Sequence, residues 1–200
     1  MTVQRISDLD EFNRLEPEWN SLLQKSKSNS VFLTWEWVST WWQFFGSESE
    51  LFVLCVVDEH GRIDGIVPLK RQRRRIGGLR LNCLEFIGSG LETVPDYLDF
   101  ILDPGCEEQA SRLILEYLSR NKNSWDIIIF SDMREDSFCF RGFNHAVLSK
   151  TSSYEKEDIC PYIELPKTWD LYLEALSKKS RYNVRKKRRN LDQDFKNEFL

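Results

Sequence analysis

A mixed α/β fold of the α+β kind, a mostly antiparallel sheet with helices packed on it, is the class this sequence predicts, and three observations predict it. Apolar residues recur at helical spacing over residues 9–23, 34–46 and 107–120. The stretches 51–58 and 63–71 read as two strands joined by Asp58-Glu59-His60-Gly61. Trp125-Asp126-Ile127-Ile128-Ile129-Phe130 is a short, almost continuously apolar run. Helical patterns interspersed with short strands give helices layered on a sheet. With 200 residues, 41% of them hydrophobic, the chain is long enough to bury a core and fits one domain, or one domain plus the opening of another.

The elements follow in order. Ser7 is placed to cap a first helix carrying Leu9, Phe12, Leu15, Trp19, Leu22 and Leu23. Pro17 either kinks it or starts a second helix with the proline in its first turn, where the missing N–H costs little. A polar loop over 25–30 precedes a helix that Thr34 caps and Gly46 stops, with Leu33 and Val38 placed as a hydrophobic staple. Trp37, Val38, Trp41, Trp42 and Phe45 form its broad apolar face. Four of the seven tryptophans lie in it, which marks it as the anchor for the sheet rather than a ligand cage.

In the hairpin that follows, Gly61 supplies the positive φ of the turn. Its second strand runs into Lys70-Arg71-Gln72-Arg73-Arg74-Arg75-Ile76-Gly77-Gly78. Because residues 79–87 alternate like another strand, these glycines read as a hairpin turn rather than a phosphate loop. After Gly88-Ser89-Gly90 and a turn at Pro95, residues 96–102 read as a strand in which Asp96 and Asp99 are unusual. Asp103-Pro104-Gly105 is a turn before an amphipathic helix buried through Ala110, Leu113, Ile114, Tyr117 and Leu118. The run 125–130 reads as a strand covered on both faces and central in the sheet. A short helix over 134–143, a strand beginning at Ala146-Val147-Leu148, a strand over 160–166 and a helix that Thr168 caps complete this part.

From Lys178 to Arg189, eight of twelve residues are basic and none is acidic. Read as a helix capped by Ser180, the stretch carries only a thin apolar seam of Val184, Leu191 and Phe195. Arg181, Arg185 and Arg188 share one face at i, i+4 and i+7, a geometry suited to phosphate or carboxylate; a solvated basic surface is the plainer alternative. The chain carries a formal charge of −4. Without those eight residues it has 20 Lys and Arg against 32 Asp and Glu, a charge of −12. So acidic a body argues against coating nucleic acid and for a local anion site. Five scattered cysteines without a CxxC pair, no apolar run long enough to span a membrane and no signal-peptide core predict a cytoplasmic protein with reduced thiols.

Nucleophile sets are poorly supplied, since the two histidines are His60 in a hairpin turn and His145 near a strand start. Metal-ligand spacing, a Walker loop and a GxGxxG fingerprint are absent from the sequence. What remains is Asp96, Tyr97 and Asp99 together with the basic helix. A carboxylate that takes a proton from an amine and a cationic face that holds an anionic substrate suit acyl transfer to an amine.

Five blocks carry a resemblance in the same sense. Phe32-Leu33-Thr34-Trp35-Glu36-Trp37 with Trp41-Trp42, Gly65-Ile66-Val67-Pro68-Leu69, Phe86-Ile87-Gly88, Asp96-Tyr97-Leu98-Asp99-Phe100 and residues 176–185 resemble, in that order, bacterial GNAT-superfamily acyltransferases of the cellulose-biosynthesis-protein type. These are relatives of the Fem-type aminoacyltransferases, which set two GNAT-like domains in tandem. The resemblance implies a GNAT-like domain over residues 1–166. It implies that residues 167–200 are a linker helix and the basic helix that opens a second, truncated GNAT domain. It implies acetyl-CoA or another acyl-CoA as donor, a small-molecule, sugar or peptide amine as acceptor, a role in polysaccharide biosynthesis, and a second GNAT domain or a homo-oligomer as partner. The family's cofactor loop, a strand followed by Arg/Gln-x-x-Gly-x-Gly/Ala and a helix, has no good counterpart here, because Arg74-Arg75-Ile76-Gly77-Gly78 leads into a strand.

Three readings follow. In the first, the chain is mainly the N-terminal half of an N-acyltransferase. Asp96, Tyr97 and Asp99 then line the catalytic cleft, while Lys179, Arg181, Asn183, Arg185 and Arg188 hold the anionic substrate or the cofactor phosphates. In the second it is a non-catalytic structural or substrate-recruiting module. In the third it binds RNA through the basic helix, which the acidic body makes the least favoured.

Overall fold

A strand that the apolar pattern hides opens the chain: β1 (Thr2–Ile6) pairs antiparallel with β3 (Val53–Val57). Only Val3 and Ile6 of it pack on the core, too little alternation to stand out in the sequence. The computed structural model describes residues 1–90, 93–145, 152–156 and 159–194. By its contacts the chain divides into one unit, Met1–Tyr154, and another, Glu155–Leu200.

Within the first unit the strands form two four-stranded sheets, in the orders β1-β3-β4-β7 and β2-β5-β6-β8. Here β2 is Ser49–Leu51, β4 Ile63–Val67, β5 Leu69–Ile76, β6 Leu79–Phe86, β7 Ile101–Leu102 and β8 Ile127–Ile128. Every pairing is antiparallel except β6 with β8, so the predicted class is the observed one. The two sheets are halves of one bent surface. Phe52 interrupts β2 and β3, and Pro68, which has no N–H to give a ladder, interrupts β4 and β5. Across that bend the Phe52 N–H donates to Leu69 O at 3.0 Å and the Ile87 N–H to Pro68 O at 2.8 Å. β6 and β7 lie against β5 and β4 respectively, so the chain between them leaves the sheet at the bend and returns to it.

Helices α1 (Leu9–Asn13) and α2 (Glu16–Lys25) realise the second of the Pro17 alternatives, with the proline in the first turn of α2. The cap of α1 is Asp8 rather than Ser7, its carboxylate accepting the Asp10 and Glu11 N–H groups; a charged acceptor outbids a hydroxyl at a helix start. Thr34 caps α3 (Trp35–Phe45) through the Trp37 N–H, as predicted. Trp19 meets Phe12 and Trp35 of α3 edge to face, Phe12 and Trp35 are tilted to one another, and the Trp19 indole donates to Leu33 O at 2.8 Å. Helix α4 (Glu107–Arg120) covers β1, β3 and β4, and α5 (Phe138–His145) packs on α4.

Strand expectations fail at several places, and of the strand expected over 96–102 only β7 pairs with the sheet. The run 125–130 supplies β8, an edge strand of its sheet with half-buried side chains rather than a central one. Its apolar outer residues are covered by loops and by Phe86 instead of another strand. Residues 160–166 form no strand among the described residues, and Tyr162, Ile163 and Leu165 are exposed there. The strand predicted at Ala146-Val147-Leu148 and the seam residue Phe195 lie outside the described residues. In the second unit Thr168 caps α6 (Trp169–Ala175), and the basic stretch is α7 (Lys178–Asp194).

Candidate functional site

The chain between β6 and β7 and the chain after β8 meet at the ends of the parallel pair, because the Leu98 N–H donates to Asp132 O at 2.9 Å. Crevices beyond the carboxyl ends of parallel strands are where such sheets take ligands. Both segments are held in an uncommon backbone conformation here, with φ of 61° at Tyr97 and 60° at Asp132. Non-glycine residues in the left-handed region cost of order 1–3 kcal/mol and mark positions that the surroundings over-determine.

A cleft of about 400 Å³ opens beside them, lined by the 27–30 loop after α2, by Tyr97, Leu98 and Asp99, and by Arg134, Asp136, Ser137, Phe138 and Arg141. That volume lies within the range of small-ligand sites. Its wall carries Lys27, Arg134 and Arg141 with Asp99 and Asp136 among them. Lys27 and Arg141 both stand over the Phe138 ring, at 5.4 Å and 4.8 Å from its centroid. Arg134 lies 5.7 Å from the Tyr97 ring and holds Asp136 through Nε and Nη2 at 2.7 and 2.8 Å. That two-pronged bond keeps the Asp136 carboxyl below the usual carboxylate range. Lys27 is already ion-paired to Glu107 at 3.1 Å and Arg134 to Asp136, which leaves Arg141 as the cleft cation best placed to meet an anionic group.

Asp99, one of the predicted catalytic residues, sits in the floor of this cleft with both oxygens engaged. Its carboxylate accepts the Phe100 and Cys139 N–H groups at 2.8 and 3.0 Å through Oδ1, and the Phe138 N–H at 3.2 Å through Oδ2. Asp99 thus supplies the N-terminal cap of α5 from across the fold. Burial pushes its carboxyl above the ordinary range, and the three N–H groups pull it partly back. Tyr97 lines the cleft, and Asp96 is exposed beside it.

The predicted anion-holding residues lie in the second unit. α7 is capped by Ser177, whose hydroxyl accepts the Ser180 N–H at 3.2 Å, and not by Ser180. The Arg181 guanidinium folds back onto Glu174 O and Leu176 O at 2.9 and 3.1 Å, and Arg188 stands 5.6 Å from the Trp169 ring. Two arginines of the shared face therefore fasten α7 to α6, while Lys179, Asn183 and Arg185 stay exposed.

An acyl-CoA pyrophosphate needs free backbone N–H groups at a helix start. The start of α4, which follows β7, already carries two acidic side chains. Glu107 occupies it, accepting the Gly105 N–H at 2.8 Å, with Glu108 next along the helix. Although burial raises the Glu107 carboxyl, hydrogen bonds from its own and the Gly105 N–H and from Lys27 hold it below the usual range, so it stays anionic. Beyond the ends of β6 and β8, Phe86, Phe100 and Phe130 fill the space, the first and last stacked at 4.6 Å. The first unit therefore does not fit the donor at this helix.

Of the residues the sequence singled out, Tyr97 and Asp99 line this cleft; Lys27, Arg134, Phe138 and Arg141 were not singled out. The helix expected over 134–143 begins only at Phe138, so Arg134 precedes it and no helical spacing ties it to Arg141.

No family model matches this chain, and no curated protein matches it. Among solved structures, a protein described as a probable acetyltransferase aligns over 84% of this chain and 99% of its own, at 13% identity and a TM-score of 0.43. The aminoglycoside acetyltransferase meta-AAC0020, from an uncultured soil metagenomic sample, aligns over 82% and 96%, at 14% identity and a TM-score of 0.41. A mutant BH1408 protein from Bacillus halodurans aligns over 84% and 100%, at 18% identity and a TM-score of 0.39. Likenesses this distant assign neither a family nor an activity.

Proposed function

We propose that this chain is the acceptor-holding part of a GNAT-like N-acyltransferase, and that its cleft seats an amine that also carries an anionic group. The observation that carries the proposal is Arg141 standing over Phe138 beside Tyr97 within one cleft of about 400 Å³, with Lys27, held by Glu107, at its rim. Cations of this kind orient an acidic substrate, and positioning supplies a large share of acyl-transfer catalysis. Tyr97 and Arg134 wall the amine side. Asp96 is the carboxylate proposed to take the amine proton. Asp99 acts as a positioning residue, through α5. The acyl donor, acetyl-CoA or another acyl-CoA, supplies the activated acyl group. In this reading it does not seat at α4, and the exposed Lys179, Asn183 and Arg185 of α7, with Arg181 and Arg188 holding that helix in place, are the residues proposed to meet its phosphates. The sheet with its packed helices and the five ordered sequence blocks support the acyltransferase class; the acidic closure at α4 supports the division of labour.

Titrating the chain with a phosphorylated amino sugar, followed by amide NMR, tests the cleft. Resonances of Tyr97, Leu98 and residues 137–141 are expected to shift, and Arg141→Gln to weaken binding about five-fold or more. Shifts confined to other regions, or an unchanged affinity in the variant, would remove the cleft from the site.

A further inference from the structure

The β5–β6 ribbon reaches past its neighbours. β2 pairs with β5 only over Lys70–Gln72, and β8 pairs with β6 at Cys83 and Leu84, so among the described residues no other strand pairs with the ribbon from Arg73 to Leu81, and every residue from 73 to 80 is exposed. The turn is Gly77-Gly78, with φ of 56° and 88°, the two left-handed positions that a tight two-residue hairpin requires. Next to it Ile76 and Leu79 face each other in register, 37% and 66% exposed. Behind them Arg75 is directly opposite Arg80, and Arg73 is opposite Asn82, which puts Arg73, Arg75 and Arg80 on one face. Arg71 and Arg74 are engaged with Glu50 and Glu85. Arg73, Arg75 and Arg80 make no ion pair or side-chain hydrogen bond among the described residues.

Charges on an open strand edge guard against pairing with other chains, but two features go beyond that duty. Like charges directly opposite one another destabilise a hairpin, where an Arg–Glu pair would guard the edge and add stability. The guard also has no use for exposed isoleucine and leucine at the turn. An apolar tip backed by cations matches a surface that is apolar within and anionic at its face. Nucleic acid would take up the arginines and leave Ile76 and Leu79 in water. Among the described residues α7 is the other exposed basic segment, and it lacks an exposed apolar pair at a turn beside its cations, which is what sets the ribbon tip apart.

We propose that the β5–β6 tip attaches this protein to an anionic membrane surface, with Ile76 and Leu79 entering the headgroup boundary and Arg73, Arg75 and Arg80 meeting anionic headgroups. The whole chain is sedimented with phosphatidylcholine vesicles, with and without about one third phosphatidylserine, in low and high salt. It should partition to the anionic vesicles and leave them in high salt. The variant Arg75→Gln/Arg80→Gln should partition about 25-fold less, at roughly five-fold per arginine. Leu79→Ser should reduce partitioning while keeping the salt dependence. Both changes are at exposed positions, and matching far-UV circular dichroism confirms that the fold is kept. Equal binding to neutral and anionic vesicles overturns the proposal. So does wild-type binding in the double variant, which would assign attachment to another basic segment such as α7. An oligonucleotide bound more tightly than the vesicles, and lost in the same variant, overturns the lipid assignment.

Discussion

Asp99 shows how one side chain can look catalytic and act as structure. An aspartate in an apolar, strand-like run is unusual enough to single out, yet its partners Phe138 and Cys139 are some forty positions away, and nothing in the sequence reports that approach. Asp99→Ala should lower stability by about 2 kcal/mol in urea unfolding, since it uncaps α5 and leaves buried N–H groups unmet. The buried thiols give a second residue-scale test. Cys55 is buried, and burial pushes its thiol up to about 12. The folded chain therefore keeps that proton after the unfolded chain has lost it, and stability should fall as pH rises from the ordinary 9.0 towards about 12. Cys55→Val should flatten that decline in unfolding curves measured across the interval. At pH near 8 a thiol reagent should modify exposed Cys160 first and half-buried Cys106 next, leaving Cys55, Cys83 and Cys139 unreacted while the chain is folded.

At the scale of elements, local chemistry was legible and environment was not. Thr34 with Gly46, Pro17 and Thr168 place helix ends through short-range hydrogen bonding and sterics, and the structure puts them where the sequence does. β1 went unseen because five residues with two inward side chains carry little pattern. The position of β8 was misjudged because a continuous apolar run reads the same whether strands or loops cover it. The cationic cleft was legible only in part, since its charges come from three separated segments. α7 was found as a helix, but the division of its arginines was hidden. Arg181→Ala should lower the thermal stability of the helical signal, costing about 1 kcal/mol through two unmet carbonyls. Arg185→Ala, at an exposed position, should leave stability within about 0.5 kcal/mol and weaken only anion binding.

Taken whole, the first unit packs helices on a bent, mostly antiparallel sheet, places Glu107 at the start of α4 and fills the end of the parallel pair with Phe86, Phe100 and Phe130. Its open cleft is lined by Lys27, Arg134 and Arg141 together with Asp99 and Asp136, and is the proposed acceptor site. No helix among the described residues is long and apolar enough to cross a membrane. The division between an acceptor cleft in this unit and a donor that does not bind at α4 is the central claim, and calorimetric titration of the folded chain with acetyl-CoA tests it most directly. The account predicts at most weak, salt-sensitive heats that Arg185→Ala reduces and that Glu107→Gln leaves unchanged. Saturable one-site binding that survives high salt, and that tightens when Glu107→Gln frees the start of α4, would contradict it.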